Sequence, residues 1–272
     1  MTSEHLPKKV RTLHLAEFKQ QGQKFSCLTS YDQLTAGIFD EAGIEVILVG
    51  DSAADNALGY TTTLPISVDE IIPFGRAVAG ASSRALVVVD MPFGSYELSA
   101  EQALENAIRI MKSTGADAVK LEGGVRSAGQ IRAITTAGIP VMAHIGFTPQ
   151  SVNNLGGFKV QGRGEGASAL LEDAKAVAEA GAFSVVLELV PAELAKQVTE
   201  TCGIATIGIG AGPDTDGQIL VWTDFAGLSG LKPKKFVKQY AQVRELLLDA
   251  AKSYRSEVAS GQFPEISRSF EE

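Results

Sequence analysis

The chain has 272 residues, 45% of them hydrophobic, enough to bury a substantial core in one large domain or two small ones. Its formal net charge of −8 excludes the broad basic face that nucleic-acid binding needs. Its two cysteines, Cys27 and Cys202, lie far apart with no CxxC pair, which excludes a disulfide framework and points to small buried residues in a reducing cytoplasm. The first residues, MTSEHLPKKVRTLHL, lack the apolar stretch of a signal peptide. No apolar run approaches the roughly 20 residues of a membrane span.

In chain order, the pair Lys8-Lys9 and the run Lys232-Pro-Lys-Lys235 read as solvated charge. An amphipathic segment follows at 10–20. Strand-length apolar runs then fall at 24–29, 45–50, 85–90, 117–122, 139–145, 183–189, 204–209 and 218–223. Helical patterns lie between them near 32–42, 68–81, 99–114, 125–137, 165–180 and 191–201. Ser99 caps one helix that stops at Gly115, and Pro191 opens another as a first-turn proline. The tail from 232 reads as terminal helices. Two connections, 51–67 and 146–164, are long enough to be functional loops.

Strands this continuously apolar are expected in a parallel sheet covered on both faces. Eight strand–helix units predict a (β/α)₈ TIM barrel, typically ~250 residues. An open doubly wound sheet is the rival, but SYDQLTAG after the first strand lacks its GxGxxG turn. The expected arrangement is one domain over 1–272, with strands and helices of the barrel at about 24–230. Segment 10–20 would cap the bottom, and the terminal helices would follow the barrel.

The strand ends carry ionisable residues: Asp51 after EVILVG, Asp90 closing VVVD, Lys120 and Glu122 in AVKLEGG, His144 in VMAHIG and Glu188 in VVLELVP. A barrel brings all strand C-termini to one face. Lys120 and Glu122 are two apart and share a strand face, and Glu188 shares its face with Val186 and Val190. An unpaired carboxylate projecting inward from so apolar a strand is costly. Four acids in a small volume call for a compensating cation, and carboxylate oxygens suit a hard ion such as Mg²⁺ better than Zn²⁺. His144 stands alone and reads as a hydrogen-bonding residue. Asp51 has a second reading as a helix cap, and Lys120 with Glu122 has one as a structural ion pair. The glycine run 207–213 (IGIGAGP) reads as a close backbone turn rather than a phosphate cradle.

The stretches VGDS, TLPIS, VVDMPFGSY, VKLEGG, AHIGFTPQSVNNLGGFKVQGRG, LELVPAELA and IGIGAGPDTDGQILV resemble, in order and over nearly the whole chain, the ketopantoate hydroxymethyltransferase family. Many relatives carry Gly-His-Asp in the loop where this chain has Gly59-Tyr60-Thr61, and Tyr-His in the second helix where it has Pro73-Phe74. The resemblance implies a (β/α)₈ barrel assembled as a cytoplasmic homodecamer. It implies transfer of a hydroxymethyl group from 5,10-methylenetetrahydrofolate to 3-methyl-2-oxobutanoate, giving 2-dehydropantoate on the way to pantothenate and coenzyme A. It further implies one Mg²⁺ per subunit on Asp51 and Asp90, with Glu122 completing the shell through water. Asp51, Ser52, Asp90 and Lys120 would hold the oxo acid, with His144 in hydrogen-bonding reach, and Glu188 would be the general base. A metal-dependent lyase acting beside a 2-oxo acid, without folate, is the alternative enzyme. A non-catalytic metabolite-binding barrel is the alternative of another class, and it has no need of the inward Glu188.

Overall fold

The computed structural model describes residues 8–230 and 232–270. They divide into two compact units, Met1–Val221 and Trp222–Glu272. The first unit is a closed barrel of eight parallel strands in sequence order. The strands are β1 (Phe25–Thr29), β2 (Val46–Val49), β3 (Leu86–Asp90), β4 (Ala118–Glu122), β5 (Val141–Gly146), β6 (Ser184–Glu188), β7 (Ala205–Ile209) and β8 (Gly217–Leu220). Each lies within two residues of its expected start. Six are buried along nearly their whole length, because helices cover the outer face while neighbours fill the interior.

The helices between strands are Gln33–Glu41, Val68–Ala81, Ala100–Thr114, Ala128–Thr136, Gly166–Glu179 and Ala192–Thr201. Their ends follow local chemistry. The Ser67 hydroxyl caps Glu70 N while the Glu70 carboxylate accepts from Ser67 N, a reciprocal capping box. Ser99 accepts from Gln102 N at the start of the next helix, and Gly115 ends it in the left-handed conformation. Pro191 stands one residue before its helix, at the cap position, rather than in the first turn.

Thr12–Gln21 closes the bottom of the barrel as expected. Leu15 and Phe18 on this helix join Val10 in one core with Phe25, Val46, Leu86, Ala118, Met142 and Ala205, the residues near the strand starts. Lys9 corrects the expectation of a solvated lysine. It donates to Ala85 O and Asp117 Oδ2, both at 2.8 Å, because Val10 is bonded to Arg84 O and draws the segment onto the barrel. Both cysteines are free and buried.

In the second unit the tail is helical over Val243–Ser260, with short turns at Trp222–Phe225 and Ile266–Arg268. The stretch 232–242 is irregular rather than helical. Pro233 lacks a donor and three lysines crowd one turn, so the helix begins only where apolar spacing resumes. Among the described residues no helix is long and apolar enough to cross a membrane.

Candidate active site

The interior face of four strands, β3 to β6, changes character along its length. Val88 is followed on that face by Asp90, Ala118 by Lys120 and Glu122, Met142 by His144, and Val186 by Glu188. The apolar members fill the barrel's lower layers and the ionisable members form its upper rim. All six residues, Asp51 included, are buried. Register sets their contacts: Asp90 pairs with Lys120, Glu122 with His144, and Gly146 with Glu188.

Lys120 Nζ lies 2.6 Å from Asp90 Oδ1, so its partner is Asp90 rather than Glu122. Burial works against the Lys120 ammonium, yet the charges of Asp90, Glu122 and Asp51 outweigh it and hold its pKa above the usual lysine range. Asp51 N donates to Asp90 Oδ2 at 2.9 Å. The Asp51 carboxylate caps no helix: the turn Ala53–Asn56 has no side-chain cap, and Asp51 Oδ2 instead accepts from Gln150 Nε2 at 2.9 Å. Burial, then repulsion from Asp90 and Glu122, pushes Asp51 up to about 8 against the opposing pull of Lys120 and Gln150.

His144 stands between two acids, Nδ1 3.4 Å from Glu122 Oε1 and Nε2 3.2 Å from Glu188 Oε2. Neither contact is a well-aligned hydrogen bond. Burial and the Lys120 charge lower the imidazole pKa, but Glu122 and Glu188 prevail and raise it to about 9. The ring lies between the acid on β4 and the acid on β6.

Ser52, half-buried beside the rim, shares a hydrogen bond with Tyr31 OH at 2.7 Å. Phe74 and Tyr60 each anchor a neighbouring segment. The ring of Phe74 meets the Tyr31 ring edge-on at 6.4 Å. Tyr60 OH donates to Glu70 Oε1 at 2.6 Å, joining loop 51–67 to the capping box of the next helix.

Two residues of the rim escaped the sequence reading. Gln150 and Tyr96 are buried and linked, Tyr96 OH donating to Gln150 Oε1 at 2.5 Å. Both sit on connections after strand ends, where no periodicity marks an inward side chain; Gln150 following Pro149 in a long loop was the available signal. The glycine run behaves as a close turn. A Cβ at Gly212 would stand 2.6 Å from the Ala192 Cβ.

Four acids here face one lysine and one histidine, an excess of negative charge in a buried space. Among the described residues no three acid, histidine or cysteine side chains form a ready-made metal cage. The donor set nevertheless fits Mg²⁺, which keeps several waters and takes only one or two protein carboxylates. Glu122 Oε1 is buried with no well-aligned hydrogen bond, His144 Nδ1 standing off at 3.4 Å, which leaves it able to meet a hydrated ion.

The barrel resembles solved structures of other activities. Phosphonopyruvate hydrolase in complex with oxalate and Mg²⁺ superposes with a TM-score of 0.62 at 14% identity, covering 97% of this chain and 92% of that one. 2,3-Dimethylmalate lyase gives 0.59 at 15%, covering 96% and 91%. At such identities the likeness is one of fold. Sequence relatives are much nearer. The 3-methyl-2-oxobutanoate hydroxymethyltransferase of Leifsonia xyli subsp. xyli is 61% identical over 97% of this chain and 95% of its own length. That of Mycobacterium tuberculosis (strain ATCC 25618 / H37Rv) is 60% identical over 96% and 93%. The sequence profile of ketopantoate hydroxymethyltransferase matches residues 9–266, and the chain belongs to that family of transferases.

Proposed function

We propose that the chain transfers a hydroxymethyl group from 5,10-methylenetetrahydrofolate to 3-methyl-2-oxobutanoate, forming 2-dehydropantoate and tetrahydrofolate with consumption of one water. The observation that carries this reading is the buried rim itself: Asp51, Asp90 and Lys120 on one side, and the inward Glu188 beside His144 on the other. Such a rim binds a small anionic oxo acid and removes a proton from it.

Lys120 offsets the substrate carboxylate, and Ser52 beside Asp51 orients it. A divalent cation held by Asp51 and Asp90, with Glu122 reaching it through water, would withdraw electron density from the 2-oxo group as C3 loses its proton. Glu188 accepts that proton, and His144 fixes the Glu188 carboxylate through the contact at 3.2 Å. C3 then attacks the one-carbon unit, and because C3 becomes quaternary the product has no proton there to lose again. The apolar residues Leu246, Leu247, Leu248, Tyr254 and Val258, all exposed on Val243–Ser260, suit contact with another subunit, and the assembly we propose is a homodecamer. The free, buried Cys27 and Cys202 suit a reducing cytoplasm.

Proton NMR of 3-methyl-2-oxobutanoate with enzyme, Mg²⁺ and methylenetetrahydrofolate tests the reading. The C3 methine should vanish, a hydroxymethyl signal should appear, and both changes should stop with EDTA or without folate. Carbon–carbon cleavage products without folate would assign a lyase instead, and turnover unaffected by EDTA would remove the metal.

A further inference from the structure

Gln150 reaches two acids at once. Its Nε2 donates to Asp51 Oδ2 at 2.9 Å and to Met91 O at 3.1 Å. Its backbone N donates to Glu122 Oε2 at 3.0 Å. The direction of the amide is fixed, because Tyr96 OH donates to Gln150 Oε1 while itself accepting from Glu122 N at 3.2 Å. A reversed amide would set NH₂ against the tyrosine hydroxyl's proton and a carbonyl oxygen against Asp51. Gln150 thus occupies one oxygen of each acid, Oδ2 of Asp51 and Oε2 of Glu122. It leaves Glu122 Oε1 with no well-aligned hydrogen bond, His144 Nδ1 lying 3.4 Å away.

We infer that Gln150, oriented by Tyr96, is a positioning residue for the cation site: it clamps the outer oxygens of Asp51 and Glu122 so that their remaining oxygens are presented together to a divalent ion. The inference rests on the metal reading proposed above. Orienting partners of this kind matter because a carboxylate free to rotate must be ordered on binding, and their loss typically costs ~10–100-fold in affinity.

The test measures Mn²⁺ binding by electron paramagnetic resonance, with the metal alone, alongside thermal unfolding. Gln150→Met keeps the volume and removes the side-chain bonds. It should weaken Mn²⁺ binding by ~10–100-fold while still unfolding cooperatively. Tyr96→Phe frees the amide to turn and should weaken binding in the same direction by less. Ser82→Ala, which removes a buried bond to Val78 O, should leave the affinity unchanged and controls for a general loss of stability. A folded Gln150→Met with wild-type affinity would overturn the inference. So would failure of both rim variants to fold, since the pair would then serve the scaffold. Absence of Mn²⁺ binding by the wild type would overturn the metal reading itself, a separate outcome.

Discussion

Replacing Gly146 with alanine should move the base without touching any ionisable group. Gly146 closes β5 at φ 89°, and a Cβ there would lie 2.4 Å from Glu188 O and 2.8 Å from Val190 Cγ2. Ordinary contact begins near 3.4 Å, so the Glu188 backbone must retreat by about 1 Å (3.4 minus 2.4). Phe147 N also bonds Glu188 O at 2.8 Å, so the two strand ends cannot part without breaking that bond. The left-handed backbone costs an alanine about 1–2 kcal/mol, which lowers Tm by ~2–8 °C in a chain of this size. The catalytic cost should be larger in proportion, since a displacement of about 1 Å can cost ~10²-fold. Steady-state turnover followed by NMR should show kcat down by roughly that factor, with Mn²⁺ affinity near wild type because Asp51 and Asp90 are undisturbed. A folded Gly146→Ala enzyme with unchanged kcat would refute the coupling of this glycine to Glu188.

Asp40 offers a stability test remote from the rim. It accepts from Ala85 N at 2.6 Å, from Ser83 N and Oγ at 2.9 Å and from Arg84 N at 3.0 Å. Burial raises its pKa, but these bonds outweigh burial and hold it below the usual aspartate value. Because the folded pKa is depressed, the stabilisation is full above the unfolded pKa of about 4 and is lost as pH falls through the folded value. Asp40→Asn should cost roughly 1.5–3 kcal/mol at pH 7 in denaturant melts, and the deficit should shrink below about pH 4; a pH-independent deficit would contradict this. Light scattering should give a mass near ten subunits that persists as salt is raised, since the proposed contacts are apolar. A monomer would dismiss the assembly.

The barrel was legible because strands buried on both faces leave uninterrupted apolar runs, and those runs located all eight strands. The rim was legible for a related reason. A carboxylate such as Glu188 ending an apolar strand has no structural need to be there, so its cost advertises it. What escaped notice lacked either signal. The turns at Ala53–Asn56 and Val152–Leu155 are too short to show a helical period. Gln150 and Tyr96 are uncharged residues on two different connections, after β5 and after β3, and their meeting at the rim depends on how those two loops fold over the strand ends. Lys9 read as solvent because local sequence carries no trace of Asp117, more than a hundred residues away.

Deuterium exchange at C3 of 3-methyl-2-oxobutanoate, in D₂O with Mg²⁺ and no folate, tests the proposed base most directly. The wild type should exchange the methine hydrogen. Glu188→Gln preserves shape and leaves Asp51, Asp90 and Lys120 in place, so it should still bind Mn²⁺ and the oxo acid. Its amide cannot take the proton, and exchange at saturating substrate should fall by ~10²–10⁴-fold. Exchange by Glu188→Gln at the wild-type rate would show that Glu188 is not the base and would turn attention to His144.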